Sequence, residues 1–126
     1  MARKIEHIWI GQFGPNAPES YFVQIRPADE EAPWCQFAAH QSVASFDYDF
    51  VEISWAGDHM KDVRSFVSGH SYSDAYIDKV VAQAADLGVN EINVFVLANK
   101  NEFPKPRSVS GRDFQLWYCG EFDCHE

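Results

Sequence analysis

The sequence predicts one α+β domain spanning residues 1–126, a mixed, mainly antiparallel sheet with helices packed on it. Three observations predict it. Residues 5–10 (IEHIWI) and 92–98 (INVFVLA) place apolar side chains on both faces of an extended chain, as strands inside a sheet do. From Ser71 or Ser73 to Leu87 an apolar stripe recurs at helical spacing, and Gly88 closes it. Strands separated by helices, with a closing pair of strands, give the mixed arrangement.

Along the chain, residues 5–10 put Ile5, His7 and Trp9 on one side and Glu6, Ile8 and Ile10 on the other. Residues 11–18 (GQFGPNAP) form a turn-rich connection. Residues 21–25 lean towards strand by composition, while Pro18 and Glu19 suit a first helical turn, so both readings stay open. A short helix is expected over 29–41, with Asp29 as N-cap, Glu30 and Glu31 at its positive end, and Trp34, Phe37 and Ala38 as its stripe.

Residues 46–55 (FDYDFVEISW) alternate as a strand, with Asp47, Asp49, Val51, Ile53 and Trp55 on one side and Phe46, Tyr48, Phe50 and Glu52 on the other. Asp58 then caps a second short helix bearing Met60, Val63, Phe66 and Val67, with Gly69 just past its end. For the longer helix, Ser71 and Asp74 resemble a capping box, and Tyr76, Ile77, Val80, Val81, Ala84 and Leu87 make its stripe. In 92–98, Phe95 and Leu97 oppose Ile92, Val94 and Val96. A loop with two prolines covers 103–111, and residues 114–122 are a last aromatic strand.

A chain of 126 residues buries roughly 65–70% of its unfolded surface, enough for a core without disulfide or metal staples. Ten Phe, five Tyr and four Trp supply large units of burial and exclude a disordered chain. No window has the length of a membrane span, and the N-terminal MARKIEHIWIG lacks the unbroken apolar run of a signal peptide. A cytoplasmic product is expected. Cys35, Cys119 and Cys124 are an odd set for a secreted framework, so thiols that folding does not need are expected.

Nineteen acidic residues against ten basic ones give a net charge of −9. That argues against nucleic-acid or membrane partners, which select basic surfaces, and suits a basic protein partner. Between Pro27 and Met60 lie Asp29, Glu30, Glu31, Asp47, Asp49, Glu52 and Asp58 with no Lys or Arg. Between Lys100 and Arg112 lie four basic residues and only Glu102. One negative side is expected.

No phosphate-binding glycine loop, nucleophile elbow, HExxH or paired CxxC is present, and no cofactor is expected. Asp47, Asp49 and Glu52 on one strand could serve as acid and base or hold a divalent ion. With no His or Lys near them in sequence, a solvated or partner-binding face is the stronger reading. Cys119, Cys124 and His125 match no common zinc spacing, so no metal site is expected. A Cys35–His40 nucleophile pair would sit on different faces of a helix. His7 reads as a satisfied core histidine. Trp34 beside Glu30 and Glu31, and Tyr48 amid the acids, fit interface anchors.

Lys4–Gly11 (KIEHIWIG), Gln36–Ala38 (QFA), Phe46–Glu52 (FDYDFVE), Val67–Ser73 (VSGHSYS) and the aromatic strand before Gly120 together resemble, in order, the immunity protein 22 family of bacterial polymorphic-toxin systems. The resemblance implies a protein that binds and blocks a cognate toxin and has no catalysis of its own. If that toxin is a nuclease, its phosphate-holding groove is basic. The expected partner-binding residues are Asp47, Asp49, Glu52, Tyr48, Asp29, Glu30, Glu31 and Trp34. A general interaction module, or a small enzyme built on the three carboxylates, is the competing reading, and an enclosed pocket around them would favour the enzyme.

Overall fold

In chain order the computed structural model runs β1 (Arg3–Phe13), α1 (Gln36–His40), β2 (Val51–Trp55), β3 (Lys61–Asp62), α2 (Val63–Val67), α3 (Ile77–Asp86), β4 (Glu91–Ile92), β5 (Val94–Asn99), β6 (Val109–Gly111) and β7 (Phe114–His125). It describes residues 3–29, 31–70 and 73–125, with side chains from residue 5 to residue 124 within them. Five strands pair in the order β2–β5–β1–β7–β6, every pairing antiparallel. β3 and β4 form a separate two-stranded ribbon. The α+β class and the mainly antiparallel sheet are those the sequence predicts.

Two-sided burial puts β1 and β5 in the middle. Ile8, Ile10, Phe95 and Leu97 face α2 and α3 and cluster with Val63, Val67, Tyr76, Val80 and Ala84. On the other face Trp9, Phe13, Val94, Val96 and Ala98 meet α1 and the long connection from β1 to β2, through Tyr21, Phe22, Phe37, Ala38 and Phe46. Each large apolar side chain so buried contributes about 1.5–3 kcal/mol, so both covering layers matter. Trp9 is fully buried, edge-on to Phe37 and Phe103 at centroid distances of 5.3 and 5.4 Å. Its Nε1 donates to the Arg107 carbonyl at 3.1 Å, so its single polar atom is satisfied.

β7 serves both faces because it changes parity midway. Leu116 and Tyr118 join the α1-side core, while Phe122 and Cys124 join the helix-side core. The pairing shifts between Ile8, opposite Gly120, and Trp9, opposite Tyr118, which leaves Cys119 as the extra residue of a bulge. Gly120 takes φ +111°, a conformation strained for any other residue. At the end of α3, Gly88 (φ +75°) donates to Ala85 O at 3.0 Å and the buried Val89 to Ala84 O at 2.8 Å. These are the two bonds of a Schellman stop, at the glycine expected to end the helix.

Several local expectations need correction. The helix expected over 29–41 shrinks to α1, because Pro33 lacks an N–H and keeps its predecessor out of the helical region. Cys35 caps α1, its Sγ accepting from Ala38 N at 3.5 Å. Asp29 instead closes a turn, its Oδ1 accepting from Glu31 N at 3.0 Å. Of the expected strand 46–55, only β2 forms. Asp47 accepts from Asp49 N at 2.9 Å and folds Tyr48–Phe50 into a 3₁₀ turn, a local bond that competes with the ladder.

Asp62, not Asp58, caps α2, with Ser65 N donating to it at 3.1 Å. Met60 therefore lies before the helix and is exposed, and Gly69 does not take the left-handed conformation of a C′ residue. α3 begins at Ile77, behind the 3₁₀ turn Ser73–Ala75 and without a side-chain cap, and Leu87 of its expected stripe is exposed. Ser71 of the expected capping box lies outside the described residues. Residues 21–25 are neither strand nor helix. Two turns, Tyr21 N to Pro18 O (3.2 Å) and Val23 N to Ser20 O (3.0 Å), lead into an extended segment. Asn93 breaks the expected strand 92–98, so Ile92 belongs with Phe95 and Leu97 and not with Val94 and Val96.

Candidate functional site

Three side-chain amides in this fold each pair both backbone groups of a residue far away in sequence. Asn93 does so with Phe13, Gln41 with Arg107 and Gln24 with Phe46. The last builds the candidate site. Gln24 Nε2 donates to Phe46 O at 2.8 Å, and Phe46 N donates back to Oε1 at 2.9 Å. Tyr48 strengthens the seam: its hydroxyl donates to Phe22 O at 3.0 Å and accepts from Gln24 N at 2.9 Å. Segment 22–25 is thereby fastened alongside 46–48.

This seam borders a shallow groove of about 540 Å³ lined by Gln24, Trp34, Phe46, Asp47, Tyr48 and Glu102. Trp34 is half-buried, and its backbone is fixed by bonds from its N to Ala44 O (2.8 Å) and from Ile25 N to its O (2.9 Å). Val23 and Ile25, which flank Gln24, and Tyr48 and Phe50 of the turn are all more than half exposed, Ile25 at 69%. Backbone bonds thus hold several large apolar side chains in water at one place on the surface.

Asp47 and Glu102 line the groove, further carboxylates lie on the adjoining segments, and the exposed Arg26 follows Ile25. Asp47 caps the turn that carries Tyr48, and its N donates to Glu102 Oε1 at 2.7 Å. Asp49 follows, exposed. Asp29 and Glu31 are exposed on the loop that springs from the hydrogen-bonded pair Ile25 and Trp34. Glu30 lies outside the described residues. Trp34, Asp47 and Tyr48 thus line one groove, together with Glu102 from the segment read as basic.

Glu52 parts from Asp47 and Asp49, contrary to the three-carboxylate strand expected. It pairs across from Leu97, on the helix side of β2, where its Oε1 meets His70 Nδ1 at 2.8 Å. The 3₁₀ turn is the cause, since it takes the two aspartates off the strand. The three carboxylates therefore do not converge as an acid–base set, and the groove at Asp47 is open. Among the described residues no group of three or more His, Cys, Asp or Glu could hold a metal ion. The side chain of His125 lies outside those described.

The nucleophile pair fares no better. His40 Nδ1 is bonded to the Tyr21 hydroxyl at 2.8 Å, and burial raises the Cys35 thiol, which keeps it protonated. Burial pushes Cys119 up to about 12. Cys124 lies in the helix-side core, its Sγ 3.8 Å from Phe122 O. Among the described residues no helix is long and apolar enough to cross a membrane.

His7 is the satisfied core histidine expected. Nε2 donates to Phe103 O at 2.9 Å, which leaves Nδ1 to accept from the Tyr118 hydroxyl at 2.8 Å. Burial pushes Tyr118 up to about 12 and so keeps that donor protonated. Desolvation lowers His7, although the Phe103 carbonyl and the Glu121 charge oppose the shift. The unfolded chain takes its proton near 6.5, while the native state refuses it until lower pH. Stability from His7 is therefore complete above about 6.5 and is lost as pH falls towards the lowered native value. Urea midpoints should drop from about pH 7 to about pH 5, and less so in His7→Gln, which keeps a donor and an acceptor but has no proton to gain. Equal slopes in both proteins would show that His7 carries none of this dependence.

Sequence reasoning missed Val23, Ile25, Phe50 and Glu102 at this surface. Aromatic and aliphatic residues read as core by default, and only the capped turn and the Gln24 seam reveal their exposure. No curated protein and no solved structure matches the chain. The profile of the immunity protein 22 family matches residues 7–125, nearly the entire sequence, and the chain belongs to the immunity protein 22 family.

Proposed function

We propose that this protein neutralises a cognate toxin in the cytoplasm by binding it, without chemistry of its own, through the face formed by Asp47, Tyr48, Asp49 and Trp34 with Asp29 and Glu31 on the adjoining loop. The observation that carries the reading is the set of exposed aromatic and aliphatic side chains beside the acids Asp47 and Glu102. Membership of an immunity family supplies a toxin as the partner. Acids around an apolar patch match a basic surface, such as the phosphate-holding groove of a nuclease. The apolar groups then slow dissociation, and the charges speed encounter.

Reversing both aspartates, Asp47→Lys with Asp49→Lys, is expected to lower the association rate for the toxin by roughly tenfold or more at low salt and to flatten its salt dependence. Asp47→Asn with Asp49→Asn keeps an oxygen to cap the turn and should fall between. Stopped-flow association and survival of toxin-expressing cells are the measurements. A folded double reversal that associates and protects like the parent would leave these acids as a solvated face only.

A further inference from the structure

The sheet ends at β2 on an edge whose backbone is open. Residues pair from Val51 opposite Ala98 to Trp55 opposite Val94. The next residue, Ala56, donates its N–H to Asn93 O at 2.9 Å, which makes that pair hydrogen-bonded. Antiparallel pairs alternate, so Ser54 and Glu52 also bond to β5, while the backbone groups of Val51, Ile53 and Trp55 point out of the sheet. The Tyr48 carbonyl takes Val51 N. Among the described residues, Ile53 N, Trp55 N and the carbonyls of Val51, Ile53 and Trp55 have no such partner.

Natural edges are guarded by short length, proline, charged side chains, a bulge or a covering element, and on β2 the one charge, Glu52, is held by His70. The sequence of β2, VEISW, has no proline or lysine, and its register with β5 runs without a bulge. Open clefts flank it on both sides. One of about 440 Å³ is lined by Glu52, Ser54, Trp55, Lys61 and His70, and one of about 360 Å³ by Phe13, Trp55 and Asp58. An added strand has room for side chains on either face.

Charge decides what that strand is. Asp47 and Asp49 precede the edge, Asp58 follows it, and Glu52 lies on it with 39% of its side chain exposed beside the His70 bond. A second copy would set these acids against themselves in a chain already at −9. A basic strand would not.

We propose that β2 is a docking edge to which an extended, basic segment of the toxin adds as a sixth strand, contiguous with the Tyr48 and Phe50 surface. This rests on the reading that a toxin is the partner. Backbone bonds supply affinity in such an addition, and alternate side chains beside Glu52 supply selectivity.

Amide hydrogen exchange tests it in two stages. In the free protein the amides of Ile53 and Trp55 should exchange quickly while those of Glu52 and Ser54 are protected. On binding a catalytically inactivated toxin domain encoded beside this chain, Ile53 and Trp55 should become protected. Ile53→Pro removes an outward N–H and the core-packed Ile53 side chain, but no N–H of the β5 ladder. It should weaken binding by at least about tenfold relative to Ile53→Ala, which loses the side chain but keeps the donor. A tight complex in which both amides still exchange overturns the edge and leaves the toxin reading standing. Protection in the free protein that rises with concentration overturns it in favour of self-pairing. No complex with the toxin domain ends the toxin reading, and this proposal with it.

Discussion

Replacing Asn93 by alanine is expected to lower the melting temperature by roughly 10–20 °C. Asn93 is fully buried where β5 stops short of the end of β1. There its carboxamide stands in for the missing peptide group: Phe13 N donates to Oδ1 at 2.8 Å, and Nδ2 donates to Phe13 O at 2.7 Å. Its second Nδ2 hydrogen reaches Gly57 O at 2.7 Å, which ties down the turn after β2. Alanine leaves the buried Phe13 N and O without these bonds, at about 1–3 kcal/mol each, while the exposed Gly57 O can turn to water, so a total near 3–5 kcal/mol is expected. Asn93→Asp should do no better, since a carboxylate offers no donor to either carbonyl. Differential scanning calorimetry reads the shift. A change within about 2 °C would mean that the backbone relaxes or admits water at this point.

Asn93 also shows what the sequence concealed. The apolar periodicity around it placed β5 correctly on both faces, and the same two-sided pattern identified β1, because burial leaves its mark within a few residues. The amide clamps leave no such mark: Asn93 reaches back to Phe13, Gln41 forward to Arg107 and Gln24 forward to Phe46. One polar residue in an apolar run was the available sign at Asn93. At Gln24 there was none. In the acidic stretch the pattern misled on geometry, for FDYDF alternates like a strand while Asp47 captures the Asp49 amide. That local bond separates Glu52 from the aspartates and leaves Tyr48 and Phe50 exposed, a shape that composition does not carry. Pro33 was the legible breaker of the 29–41 helix, and its weight exceeded the capping signals around Asp29.

Trp34→Ala is expected to raise the dissociation rate of the toxin complex by about 30-fold, or roughly 2 kcal/mol, with the association rate nearly unchanged. Trp34 belongs to neither core cluster, although it is half-buried in the groove beside Tyr48 and Asp47. Its backbone bonds to Ala44 and Ile25 survive loss of the indole, so the chain around it stays in place. Trp9 is the contrast: it is fully buried among Phe37, Phe103 and Tyr118, and truncating it would remove a core side chain at about 3–5 kcal/mol of stability. If the groove receives an apolar anchor of the toxin, Trp34→Ala should separate affinity from stability, with the melting temperature moving by only a few degrees. Protection of toxin-expressing cells should then fail in step with residence time. A variant that melts like the parent and releases the toxin no faster would remove Trp34 from the interface and leave Tyr48 and Phe50 as its apolar contacts.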